Sequence, residues 1–350
     1  MTISRRRLLA GLASAPIVGC AASRTPAVTH VVAPELRVRV PAPWKQDLGE
    51  LEDVAPGMRV AFSDAHGFAA LPPPGPRGWR ALQVEAPQTV AGFRESAPNL
   101  RTAPRDRIAV LPLGGFPLEV VVDGTQVALV RTPELSAIAG LLAAFFATPV
   151  DLLPTERLPV RLLRRRVVAG RSQFDARALL NVASIRLPAD AHSMLVLVNV
   201  DLYVLREQQY AFGWSTLHDR LGVVGFSRLD PGDGAAAGAA AGRLLRRGLG
   251  IAVHEVGHMF GLGHCQHFCC VMNGISDLVE LDATPLRLCP LCLRKLHLVT
   301  GLDPRARDAA LLRAFAELGL AEEEAWLSER VKLLWPDVGG DAVAWSKSQV

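Results

Sequence analysis

The sequence has little of several things that would narrow its role at once. Its net charge is only +4, from 38 basic and 34 acidic residues. No basic stripe interleaved with aromatics runs along it, which argues against nucleic acid as a partner. Arg164, Arg165 and Arg166 read as a solvated strand or loop face. Aromatic residues are sparse, at 6%, while Ala, Leu, Arg and Pro abound, a bias that suggests a GC-rich genome more than a function. The apolar stretch near the N-terminus is too short for a stable membrane span, and internal repeats are absent. What is present excludes disorder throughout: 350 residues, half of them apolar, can bury the core of one large or two modest domains. Cysteine is also scarce outside one region. Of the six, at 20, 265, 269, 270, 289 and 292, only Cys20 lies outside the last hundred residues.

That region opens with His254-Glu255-Val256-Gly257-His258-Met259-Phe260-Gly261-Leu262-Gly263-His264, which spells H-E-x-x-H-x-x-G-x-x-H in full. On a helix, residues four apart project from one face about one turn apart, so His254 and His258 can grip one metal ion together. Glu255 sits about 100° around the helix, near enough to serve a water at that metal without being a ligand itself. Gly261 suits a left-handed residue that ends the helix and returns the chain, and His264 then approaches the metal from below. Three neutral nitrogens leave the fourth tetrahedral position open, which is the mark of a hydrolytic zinc site rather than a scaffolding one. A solvated helix with stray histidines is the bland alternative, and the added Gly261 and His264 count against it. His267 falls outside the pattern and takes no role.

Cys265-x4-Cys270 and Cys289-x2-Cys292 form two knuckles of a four-thiolate zinc site, in which sulfur fills every position and water has no access. Disulfides, or a redox pair in Cys289-Pro-Leu-Cys292, are the alternative readings. Cys269 is left over, as a small thiol or an alternative to Cys270.

The string HEVGHMFGLGHCQHFCCVMN, with CxxC downstream, resembles the signature of the archaemetzincins, a family within the metzincin clan of zinc peptidases. The resemblance covers a little over half the chain and does not supply Cys269. It implies that His254, His258 and His264 bind a catalytic zinc, that Glu255 is the general acid/base, and that Cys265, Cys270, Cys289 and Cys292 bind a second, structural zinc. Met272 then packs beneath the first metal; without the resemblance it reads as a pliable core residue.

The N-terminus carries Ser4-Arg5-Arg6-Arg7-Leu8-Leu9, an apolar middle and Ile17-Val18-Gly19-Cys20, the layout of a bacterial export signal. It resembles a twin-arginine signal followed by a lipobox, which implies export of an already folded protein to the periplasm or cell envelope, with a candidate lipid anchor at Cys20. Export in the folded state lets metal enter while the thiols are still reduced. An ordinary signal or an uncleaved basic tail is the alternative.

Residues 21–104 hold nearly half of the prolines and only short alternating stretches, such as Leu36 to Val40, and read as a tether with a loosely defined extension. From Arg107 the pattern tightens. Ile108 to Leu113 reads as a buried strand, Pro133 to Ala147 as an apolar helix, Val160 to Val168 as a strand, Phe174 to Val182 as a helix, and Ser193 to Val200 as a strand covered on both faces. Asp201-Leu202-Tyr203, Phe212-Gly213-Trp214 and a strand near Gly222 to Leu229 follow, an order similar to the archaemetzincin core. Val223 to Arg228 is the candidate for an antiparallel edge lining the cleft, or else a plain structural strand. Ala235 to Phe260 reads as one long helix bearing the histidines; Gly248, Gly250 and Gly257 within it imply close packing. Pro285 to Val299 starts a helix at the second knuckle, and Asp308 to Gly319 and Glu322 to Leu334 read as amphipathic helices.

The expected fold is α/β: a metzincin-type, zincin-like catalytic domain over residues 105–300, with a mixed twisted sheet, a long active-site helix and a smaller C-terminal helical subdomain holding the four-cysteine zinc. Residues 1–20 are the signal and 301–350 a C-terminal helical extension. The expected function is zinc-dependent peptide hydrolysis by a monomer on peptide or protein substrates, with two zinc ions. A catalytically silent zinc-binding envelope lipoprotein and a thiol redox module are the rivals.

Overall fold

The computed structural model describes residues 43–76, 78–116, 132–206, 209–229 and 237–336. The signal, Cys20 and the alternating stretch at 36–40 lie outside the described residues.

The centre is a five-stranded mixed sheet. β1 (Arg107–Leu113), β2 (Val150–Leu152), β5 (Ala191–Val198) and β8 (Leu221–Gly225) run parallel, and β7 (Gly213–Ser215) closes one edge antiparallel, in the order β2-β1-β5-β8-β7. β3 (Arg165–Val168), β4 (Arg171–Asp175) and β6 (Asp201–Tyr203) form a second, three-stranded sheet. β1 and β5 are the buried strands expected from their continuous apolar runs, and every residue of β5 is buried. Alternation explains why: Leu195 and Leu197 enter the core on one face, while Met194, Val196 and Val198 enter the core on the other. The first face is covered by α5 (Leu135–Phe146) and α7 (Ala237–Met259), the second by α6 (Ala176–Ala183).

Three expectations shift. The stretch from Val160 divides into a 3-10 turn at Val160–Leu162 and the strand β3, because residues 160–162 find no ladder partner. Phe174 belongs to β4 rather than to the following helix, which starts at Ala176 because the Asp175 carboxylate accepts from the backbone N–H groups of Arg177 and Ala178. The candidate edge at Val223 to Arg228 is not an edge. Its strand, β8, pairs with β5 on one side and β7 on the other, and residues 226–228 turn away as a 3-10 turn with Phe226 in the core. β7, with half-buried residues, takes the edge.

The proline-rich stretch packs more tightly than its sequence suggests. α1 (Trp44–Leu48), α2 (Arg59–Ser63), α3 (Trp79–Leu82) and α4 (Val90–Glu95) are each six residues or fewer. They are too short to hold by propensity alone. Leu48, Phe62, Val90 and Phe93 join the same apolar core as Leu293 and Leu296 of α9 (Pro290–Thr300), and tertiary burial supplies the stability. Asp53 reinforces it by accepting from buried Arg294 at 2.5 Å. The two C-terminal helices are present as α10 (Pro304–Glu317) and α11 (Ala321–Leu334). Buried Arg307 of α10 donates to the Phe145 carbonyl of α5 at 2.7 Å.

His192 on β5 lies stacked on Phe260, ring centroids 4.1 Å apart, with Nε2 at 3.2 Å from the Asn99 carbonyl. Burial holds its pKa down at about 4 from the usual 6.5, outweighing that hydrogen bond. A depressed base stays neutral in the folded chain while the unfolded chain takes up the proton first. The stability it contributes is therefore complete above about pH 6.5 and is lost as the pH falls toward 4. Denaturant unfolding at pH 7 and pH 5 is expected to lose about 2 kcal/mol more in the wild type than in His192→Phe; an equal loss in both would count against a buried neutral imidazole.

Candidate metal centres and active site

α7 carries His254, Glu255 and His258 in its last turns, and the helix stops where Gly261 adopts φ +88°. A Cβ there would press on Pro98 and Phe93, so both the conformation and the space call for glycine. The chain then reverses and brings His264 back. One potential ligand atom from each of His254, His258 and His264 lies within 4.8 Å of the others.

The hydrogen bonds fix which atoms these are. His254 Nδ1 donates to the Val271 carbonyl at 2.8 Å, and His258 Nδ1 donates to the Leu262 carbonyl at 2.7 Å. A carbonyl only accepts, so both rings carry their proton on Nδ1 and present a bare lone pair on Nε2. His264 Nδ1 faces both Glu85 carboxylate oxygens at 2.8 Å, again leaving Nε2 as the free donor. The His254 and His258 Nε2 atoms approach to 3.0 Å. Two lone pairs facing each other at that distance repel, and a cation between them removes the repulsion. Burial holds His254 down at about 3, with His264 adding to the effect, and holds His258 well below its usual value, so both stay neutral and ready to coordinate. Tetrahedral zinc at ~2.05 Å from nitrogen would want its donors ~3.3 Å apart, close to the 3.0 Å between the His254 and His258 Nε2 atoms.

Glu255 is buried on the adjacent face. Ser215 Oγ of β7 donates to its Oε2 at 2.6 Å, and Gly213 leaves the room that Oε1 occupies, since a Cβ there would collide with the carboxylate. Burial pushes Glu255 up to about 8, against the opposing pull of the Ser215 hydrogen bond.

Beneath this site, Cys265, Cys270, Cys289 and Cys292 bring their sulfurs within 4.8 Å of one another, all buried. None of the described cysteines is in a disulfide. Cys265 and Cys289 sulfurs stand 3.7 Å apart, matching the ~3.8 Å expected for two thiolates at ~2.3 Å from one zinc. Hydrogen bonds from Cys270, Cys289 and Cys292 hold Cys265 well below the usual thiol range, while burial pushes Cys289 well above it. Cys269 is apart from the group: its N–H bonds the Ala69 carbonyl and its sulfur lies 3.8 Å from the Ala70 carbonyl. His267, given no role, bonds buried Asp47 through Nε2 at 2.8 Å.

The sequence reading missed several residues. Asn273 accepts from Cys270 N–H and donates to the Cys265 and Phe268 carbonyls at 2.8–3.0 Å, closing the first knuckle. Ser215, Gly213 and Glu85 also escaped it, because each reaches the site from a distant part of the chain.

A model of peptidase family M54 matches residues 242–298. Archaemetzincin from Pyrococcus horikoshii is 38% identical over 134 residues, which cover 37% of this chain and 68% of that protein. The chain belongs to the archaemetzincin family. Archaemetzincin-2 from Homo sapiens is 27% identical over 287 residues, covering 73% of this chain and 77% of that protein. The crystal structure of an archaemetzincin from Methanopyrus kandleri is 26% identical and covers 57% of this chain and 98% of that one, with a TM-score of 0.43. As an archaemetzincin the chain is a zinc metallopeptidase acting on peptide or protein substrates.

Met272 lies fully buried against Gly257 of α7, where a Cβ would run into its sulfur. Gly257→Ala gains about 1 kcal/mol of helix propensity and incurs overpacking of about 1–3 kcal/mol. Net destabilisation is expected in denaturant unfolding, and a stabilised variant would mean that Met272 does not pack there.

Proposed function

We propose that His254, His258 and His264 hold the catalytic zinc and that Glu255 is the general acid/base of peptide hydrolysis. The observation that carries this reading is the 3.0 Å approach of the two Nε2 lone pairs on rings whose Nδ1 protons are committed to carbonyls. Held there, zinc supplies a Lewis acid that polarises the scissile carbonyl and acidifies water. Glu255 takes a proton from the attacking water and returns it to the leaving amine, so the carboxylate is regenerated in each turnover. A cation held by the three imidazoles would lower the Glu255 carboxyl pKa, so that Glu255 would enter the reaction as the base. Ser215 holds Oε2 in place and leaves Oε1 to handle the proton.

Cys265, Cys270, Cys289 and Cys292 hold the second, structural zinc, giving two zinc ions per chain. The redox alternative needs a free thiolate of low pKa, whereas burial pushes Cys289 the other way and its sulfur faces that of Cys265. The silent-module alternative gives no reason for a buried glutamate hydrogen-bonded beside three converging imidazoles. Residues 105–300 read as a metzincin-type body, with the sheet on one side of α7 and the cysteine-bearing part on the other. Edge strand β7 is where an extended peptide would add by backbone pairing. Residues 1–20 read as the export signal of a monomeric periplasmic or cell-envelope protein, with Cys20 as its lipid anchor.

The test is metal content together with cleavage of a peptide library, with and without chelator. Glu255→Gln is expected to keep both zinc ions and to lose about 10²–10⁴-fold in turnover. Cleavage by that variant at the wild-type rate would rule out the assigned role.

A further inference from the structure

The third histidine differs from the first two in what orients it. His254 and His258 rely on backbone carbonyls of their own region, seventeen and four residues away. His264 relies on a side chain 179 residues earlier, Glu85, whose two oxygens both lie 2.8 Å from Nδ1. The pair is not a fully solvated surface contact: the His264 side chain is 15% exposed and that of Glu85 33%.

The segment around Glu85 is built against the same turn. Gln88 accepts from Gly263 N–H at 2.9 Å and donates to the Gly261 carbonyl at 3.0 Å, so it grips both sides of Leu262. Lys295 of α9 bonds the Gln88 carbonyl and reaches its side-chain oxygen at 3.2 Å. At the other end Trp79 meets the His264 ring edge-on at 5.0 Å. Its backbone N–H donates to the Glu280 carboxylate at 3.0 Å, and its indole lies over Gly274, where a Cβ would collide with the ring. Residues 79–88 thus form a strap across the return of the chain after α7, outside the 242–298 segment that the family model matches.

We infer that Glu85 is a positioning residue of the histidine metal site: its carboxylate accepts the Nδ1 proton of His264 and so aims Nε2 at the ion. This rests on the ligand set proposed above. A carboxylate behind a metal-bound imidazole fixes the tautomer and ring plane and makes the ring more basic, and its loss typically weakens metal binding about 10–100-fold. The strap therefore makes the N-terminal segment part of the metal site rather than an appendage to it.

The experiment measures zinc affinity at the histidine site of the whole chain by chelator competition, alongside the spectrum of the cobalt(II)-substituted protein. Glu85→Ala is expected to bind zinc there about 10–100-fold more weakly and to shift the cobalt ligand-field bands. The thiolate-to-cobalt charge-transfer band of the cysteine site should stay unchanged, which certifies the fold. Glu85→Gln, which keeps an acceptor without the charge, should fall between wild type and Glu85→Ala. Zinc held within twofold of wild type in both variants overturns the inference. Wild-type protein that binds no zinc at its histidines would instead overturn the ligand assignment itself.

Discussion

Three imidazoles crowd their Nε2 atoms into one small volume, and nothing in a helix or a turn favours that by itself. The arrangement persists because each ring is held from behind: His254 by the Val271 carbonyl, His258 by the Leu262 carbonyl, His264 by Glu85. Each outer bond removes one tautomer and one ring flip, so the Nε2 atoms have only the centre to face. On the proposed ligand assignment, a cation at the centre would relieve the repulsion between the His254 and His258 lone pairs. The rest of the structure serves largely to keep those three acceptors where they are.

The cysteine cluster is part of that support. Val271, which orients His254, sits between Cys270 and Met272 on the loop that the cysteines and Asn273 close. Its own N–H bonds the Arg287 carbonyl, and the Cys265 N–H bonds the Met272 carbonyl at 2.7 Å. The first knuckle thus sets the Val271 carbonyl under His254 and packs Met272 against Gly257. Two candidate metal sites that look independent in the sequence share one loop, which supplies His264, Cys265 and Cys270 and the carbonyl behind His254. A metal in the lower site would stiffen the floor of the upper one.

The sequence made legible whatever repeats with a period or depends on close spacing. β1 and β5 stood out because both faces are covered and their apolar runs are unbroken, and α7 because eleven consecutive residues carry the metal-binding pattern. The helices α10 and α11 followed from their apolar stripes, though α10 begins at Pro304, before the expected Asp308, and α11 at Ala321, just before the expected Glu322. Hidden from it were interactions joining distant segments: Glu85 to His264, Ser215 to Glu255, Asp53 to Arg294. The short helices between residues 44 and 95 carry too few turns for a period to register; α1, α2 and α4 are held by burial against α9, while α3 buries no residue. The edge was misplaced for a related reason. β8 is apolar throughout because strands flank it on both sides, whereas the true edge, Gly213–Ser215, is three residues with no readable alternation.

That short edge also constrains how a substrate can be recognised. Gly213 and Ser215 face α7, and both are committed to Glu255, one by leaving space and the other by a hydrogen bond. Trp214 points the opposite way and packs against the core on the α6 side of the sheet. No side chain of β7 is left to read a residue of an added peptide, so what the strand offers is its backbone and its fixed distance from the base. Backbone pairing gives affinity and register, while side-chain pockets give selectivity. On the reading proposed here, selectivity falls to surfaces beside the edge. The strap at residues 79–88 puts Trp79 against the His264 ring and leaves Leu82 and Val84 exposed.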